Sequence, residues 1–145
     1  MKWITRENAA VDRIACPWLI RNFVDPQAEF LFVPADKVAA RARAEGAIPF
    51  DVDGAELGHV GGRCSFESIV LEYRLGCDPA LSKIASVVHG ADISENAGLT
   101  PESAGLKAIA SGFRLLWGRD DHRKIELEFP LYDALYRWAQ ECTGA

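Results

Sequence analysis

The chain has 145 residues, 49% of them apolar and 26% charged, and a formal net charge of −5 with neutral histidines. A chain of this length buries about 68 to 70% of its unfolded surface around a single core, so one domain spanning 1–145 is expected. No run approaches the ~18 consecutive apolar residues of a membrane helix, and the basic residues are too dispersed to form the concentrated positive face that nucleic acid needs.

The opening MKWITRENAAVDR places charges at Lys2, Arg6, Glu7, Asp12 and Arg13, where a signal peptide would be apolar. A cytoplasmic, reducing setting is therefore expected. Cys16, Cys64, Cys77 and Cys142 form no C-x-x-C pair, which argues against a zinc ribbon or a thioredoxin-type motif and leaves four thiols.

In chain order, KWIT reads as a strand, and Val11, Ile14, Trp18 and Leu19 recur at helical spacing until Val24, before the stop signal Asp25-Pro26. Pro17 falls inside that pattern, so the helix either kinks there or begins near it. AEFLFVP at 28–34 and AIPFDV at 47–52 read as strands, with a helix between them that ends at Gly46. Beyond the glycine-rich loop the chain turns helical. Ser65 is a candidate N-cap, Asp78-Pro79 and Thr100-Pro101 open two further helices, and Asp120-Asp121 precedes the last, which Pro130 is expected to divide. The fold class is α+β: a small sheet in the N-terminal half packed against a mostly helical C-terminal half.

The loop ELGHVGGRCSFE joins three chemically capable side chains, His59, Cys64 and Glu67, to glycines that allow positive φ and close approach of a ligand. An imidazole, a thiolate and a carboxylate are transition-metal ligand types. The structural alternative makes Glu67 a first-turn acid that suits the helix dipole, Cys64 a small buried group and His59 a loop residue. His89 and Asp92, three apart, share one face at the C-terminal end of their helix, where they either chelate an ion or cap the helix and start a turn. Taken together, His59, Glu67, His89 and Asp92 supply two histidines and two carboxylates, the composition of a mononuclear Zn, Fe or Mn site with an open position. His122, in the charged run GRDDHRK, reads as a solvated residue.

Asp12, Arg13 and Arg21 on the first helix and Arg63 in the loop form a second constellation. Guanidinium forks suit tetrahedral oxyanions, and they equally serve as halves of ion pairs with Asp12 or Asp25.

The strings VDRIACPWLIRNFVDPQAEFLFVP, IPFDVDGAELGHVGGRCSFE and VVHGAD, in this order, resemble the C-terminal domain of the chromate resistance protein B family over about Val11 to Trp138. The chain looks like the short, single-domain form of that family. The resemblance implies a role in chromate or oxyanion stress, with a small anionic ligand as partner. It also singles out Asp12, Arg13, Trp18, Arg21, His59, Cys64, Glu67, His89 and Asp92, which recur in the family's strings. Two classes of function follow. One is a metal-dependent domain, which could be an enzyme, with an anion held at the open position by Arg13 or Arg63. The other is a non-catalytic module in which oxyanion binding shifts a conformation read by a partner. Cys16 adds either redox chemistry or packing.

Overall fold

The structure, a computed structural model, describes residues 1–144. KWITR forms strand β1 (Lys2–Arg6), whose middle residues Trp3, Ile4 and Thr5 are all fully buried. A strand covered on both faces suits a parallel sheet with helical crossovers. β1 lies at the centre of such a sheet, between β2 (Glu29–Val33) and β3 (Ile48–Pro49), and both neighbours run parallel to it. Lys2 stands opposite Glu29 and Arg6 opposite Val33, while Trp3 and Ile4 face Ile48 and Pro49.

Helix α1 (Asp12–Phe23) makes the crossover from β1 to β2. It runs through Pro17 without ending there. A 3-10 turn at Ala35–Lys37 and helix α2 (Val38–Glu45) lead to β3, and Gly46 closes α2 with a φ of 63°. β3 is shorter than the strand expected at 47–52, for two reasons. Pro49 has no N–H to donate to a ladder, and Asp51 adopts a φ of 48°, which turns the chain out of the sheet.

The remainder is helical: α3 (Ser65–Glu72), α4 (Pro79–Asp92), α5 (Pro101–Trp117) and α6 (Asp121–Thr143). Asp78, Thr100 and Asp120 cap α4, α5 and α6 with their side chains, each accepting from backbone N–H groups of the first turn. Ser65 is not a cap: Cys64 occupies the N-cap position and Ser65 is the first helical residue. Pro130 does not divide the last helix either. It lies on the exposed side of α6, where the carbonyl it leaves unpaired can be hydrated. Buried Ile125, Tyr132 and Ala139 on either side hold both halves of α6 to the core. The result is an α+β fold in which a small sheet packs against a helical majority.

α4 packs against α3, α5 and α6, and α1 packs against α3 and α6. The crossing of α4 with α5 requires Gly90, since a Cβ there would stand 2.3 Å from Ser103 Oγ. At the start of α6, the fully buried Lys124 ammonium donates to Ala9 O at 2.7 Å and pairs with Asp121 Oδ1 at 2.9 Å. Asp121 also accepts from the backbone N–H groups of Asn8 and Ala9. The loop that leads into α1 is thereby clamped from beneath. His122, beside this clamp, is exposed, and its ring meets Phe32 edge-on at 5.5 Å.

One turn on from Lys124, Glu128 and Tyr132 are each 1% exposed, and neither Glu128 Oε2 nor the Tyr132 hydroxyl has a partner. Burial pushes the Glu128 carboxyl up to about 8, against the pull of Lys124. A carboxyl raised in the folded state supplies stability that is complete below its unfolded value of 4.5 and is lost as pH rises through 8. Glu128→Gln removes that titration while keeping the shape. The variant is expected to match the wild type in urea midpoint near pH 4.5 and to exceed it by a margin that widens toward pH 8. Parallel midpoint profiles for the two proteins would show that Glu128 is solvated after all.

Candidate functional site

Three segments converge beside the C-terminal end of the sheet: the first turn of α1, the chain leaving β3, and the loop that runs from there into α3. Glycine shapes that loop. A Cβ on Gly58 would lie 3.0 Å from Val52 O and 3.1 Å from Ala55 O. Gly61 and Gly62 take φ values of 59° and 82°, so the chain reverses between Val60 and Arg63, whose backbones bridge. Ser68 Oγ donates to Gly58 O at 2.7 Å and pins the loop to α3.

The centre of the site is Asp12, whose side chain is wholly buried. It accepts from the backbone N–H groups of Ser65 at 2.8 Å and Phe66 at 3.3 Å, so a carboxylate from α1 satisfies orphan donors at the start of α3. Ser65 Oγ in turn donates to Asp51 Oδ1 at 2.6 Å. Into this pair of acids projects His59. Its Nε2 lies 2.9 Å from Asp92 Oδ2, 3.4 Å from Asp12 Oδ2 and 3.4 Å from Asp51 Oδ1.

Charges are crowded here. Burial pushes Asp12 up to about 7 against its hydrogen bond from His59, and the nearby Asp92 and Asp51 push it further. Burial raises Asp51 too, despite its bond from Ser65. His59 rises to about 9, chiefly through its hydrogen bond to Asp12.

Two arginines, Arg6 from the end of β1 and Arg13 from α1, approach Asp51. Arg6 Nη2 is 3.6 Å and Arg13 Nη1 3.9 Å from Asp51 Oδ2, and the Nε atoms of both are buried without a partner. Burial, together with the Arg6 charge, depresses the Arg13 pKa. A cavity of about 220 Å³ opens over Arg6, Asp51, Gly54 and His59, and a smaller one of about 110 Å³ touches Arg6, Arg13, Asp12, His59 and Asp92.

The four residues read from the sequence as one metal site fall into two groups. His59 and Asp92 join Asp12, and Glu67 and His89 join Cys64; within each group one ligand atom per residue lies within 4.8 Å of the others. Glu67 Oε1 accepts from Cys64 N–H at 3.0 Å and lies 2.5 Å from His89 Nδ1, while Asn96 Oδ1 lies 2.8 Å from His89 Nε2. Although burial opposes both shifts, this pairing lowers the Glu67 pKa and raises that of His89.

Of the other arginines, Arg21 lies away from these groups. Its guanidinium donates to Ala28 O at 3.1 Å and rests on the rings of Phe30 and Phe129. Arg63 sits at the loop bridge, with its Nε buried and unpartnered. Cys16 is buried beside Asp12, its Sγ 3.8 Å from Oδ1, and burial keeps the thiol well above its ordinary pKa.

The sequence reading missed Asp51 and Arg6. Asp51 stood inside an assigned strand, and its only signal was an acid between Phe50 and the DG of a turn. Arg6 carried no signal, because its place follows from the sheet register alone.

Comparison with known proteins adds a family. The family model described as ChrB, C-terminal domain, matches residues 3–139. Protein ChrB of Cupriavidus metallidurans is 37% identical over 137 residues, which cover 93% of this chain and 40% of that protein. The chain therefore spans well under half the length of this curated relative. No solved structure gives a significant match. With the family model covering nearly every described residue and the same strings carrying the site, the chain belongs to the ChrB C-terminal domain family.

Proposed function

We propose that this chain serves chromate resistance as a domain that holds a divalent cation on Asp12, His59 and Asp92 and receives an oxyanion beside it at Arg6 and Arg13. Family membership supports the chromate setting. One observation carries the rest: three carboxylates, from Asp12, Asp51 and Asp92, face a single imidazole nitrogen. One N–H serves one acceptor, so buried Asp12 and Asp51 share the charge of the imidazole beside Asp92 without each receiving its hydrogen bond. A divalent ion on Asp12, His59 and Asp92 would offset the crowded negative charge and displace the proton. Carboxylate oxygens with one imidazole suit Zn, Fe or Mn, and three protein ligands leave a position open.

When bound, the ion would supply positive charge and Lewis acidity at that open position. The protein supplies the rest. Asp51, between the ion's place and the arginines, pairs with both guanidinium groups, Arg13 also donates to Asn8 O at 3.1 Å, and the Nε atoms of both are donors without an acceptor. Both arginines line the cavity of about 110 Å³, and Arg6 also lines the one of about 220 Å³, which has room for a small anion such as chromate. Asp12 also closes α3, so an ion drawn to this carboxylate acts on the helix; that coupling favours a sensing role over turnover.

Manganese is the probe for the cation, since it prefers oxygen and nitrogen donors. Calorimetric titration of the wild type is expected to show one equivalent bound at this centre. His59→Ala and Asp92→Asn should each weaken binding at least about tenfold with unchanged helix content by circular dichroism. A wild type that takes up neither Mn²⁺ nor Zn²⁺ would end this reading.

For the anion, chromate and its isostere sulfate are titrated into the metal-loaded wild type, Arg6→Lys and Arg13→Lys. Lysine keeps the charge and loses the planar fork, so each variant is expected to bind several-fold more weakly while its metal occupancy stays constant. Equal affinities in all three proteins would make both arginines simple ion-pair partners of Asp51.

A further inference from the structure

The group around His89 lies outside that centre, and we propose that Cys64, Glu67 and His89 form a second, independent cation site for a thiophilic divalent ion such as Zn²⁺. Its donors come from two rigid pieces of backbone. Cys64 and Glu67 belong to the N-terminal turn of α3, and His89 to the last turn of α4. Sγ, a carboxylate oxygen and a ring nitrogen lie within 4.8 Å of one another, close enough for one ion to draw them onto itself.

The orientation of His89 carries the inference. Its Nε2 meets the amide oxygen of Asn96 at 2.8 Å. An amide oxygen only accepts, so Nε2 carries the hydrogen and the neutral ring presents the lone pair of Nδ1. That lone pair faces Glu67 Oε1 at 2.5 Å, one acceptor against another. Such a pair needs a positive charge between its members, and either a proton or a metal ion supplies one. Fixing the far ring nitrogen with a carbonyl oxygen is also how proteins orient histidines that bind metals.

Cys64 decides which kind of ion. A sulfur, an oxygen and a nitrogen make a softer set than the oxygen-rich group around His59, so the two places sort ions by softness. The thiol is buried at the N-terminal end of α3; burial and the Asp12 charge hold it well above its ordinary pKa, so the thiolate forms only on a bound cation, which the helix dipole assists. Access comes from the other side. The Glu67 side chain keeps 29% of its exposure, and a groove of about 470 Å³ lined by Glu67, Val70, Leu71, Ser82 and Ser86 reaches it from solvent.

The competing role for these residues is mechanical: the Glu67–Cys64 bond caps α3 and the Glu67–His89 pair latches α3 to α4. Cobalt separates the two. Reduced protein carrying Cys77→Ser and Cys142→Ser, which removes the exposed thiols, is titrated with Co²⁺ and its near-ultraviolet absorption recorded. The expected result is a thiolate-to-cobalt charge-transfer band that saturates at one equivalent and is bleached by Zn²⁺. It should vanish in Cys64→Ser, weaken at least tenfold in apparent affinity in His89→Gln, and persist in His59→Ala. His89→Gln keeps the test available should Cys64→Ser fail to fold. No band in the parent protein, or a band that survives both Cys64→Ser and His89→Gln, overturns the site and leaves the latch. Loss of the band in His59→Ala overturns its independence. Manganese binding at His59 is read separately, so failure here leaves the first centre standing.

Discussion

The carboxylate of Asp12 closes helix α3 although it belongs to helix α1, accepting from Ser65 and Phe66 N–H while fully buried. A helix start leaves four donors without partners, and here the N-cap is a cysteine, whose sulfur accepts weakly. The acid arrives from another element instead. Because the two backbone donors fix the carboxylate's position, they fix the distance between α1 and α3, and with it the places of Ser65, Asp51 and Glu67. The same oxygens that terminate α3 also face His59. Folding and site chemistry thus draw on one group, and burial raises its pKa because both demands are met away from water.

The start of α1 is held from a second direction by the base of α6. Lys124 and Asp121 enclose the Asn8–Ala9 backbone, with an ammonium on the carbonyl and a carboxylate on the two amides. A buried ion pair is seldom a net gain over apolar packing, but this one satisfies three backbone groups that would otherwise be stranded in the core. Its geometric effect is larger than its stability. Arg6 lies before the clamped loop and Arg13 after it, so the clamp sets the two guanidinium groups against one carboxylate.

Much of the fold was legible because local signals were strong. Aromatic and apolar runs marked the strands, Gly46 marked an end, and Asp78-Pro79 and Thr100-Pro101 marked two starts that the side chains do cap. The misjudged points turned on tertiary context that the local string does not carry. Ser65 looked like a cap because serine usually is one, yet the acceptor came from 53 residues earlier. Pro130 looked like a divider because sequence does not say which side of α6 faces water. At the site, ligand-type residues could be named from the string, whereas their partition could not. His89 and Asp92 share a helix face, yet they turn to different neighbours, Glu67 in the first turn of α3 and His59 in the loop before it. Asp51 and Arg6 acquire meaning only through the sheet register and the turn after β3.

The double duty of Asp12 also bears on how such a chain can change over generations. Replacement by asparagine keeps an acceptor for α3 but forfeits the negative charge, and replacement by glutamate keeps the charge but moves the oxygens away from two fixed amides. Every single step from this residue is penalised on at least one of two unrelated counts. Residues with one task, such as Asp92, are free to drift when the ligand changes. Lineages that alter what this pocket accepts are therefore expected to vary its rim while position 12 stays put, a frozen point inherited for architectural reasons.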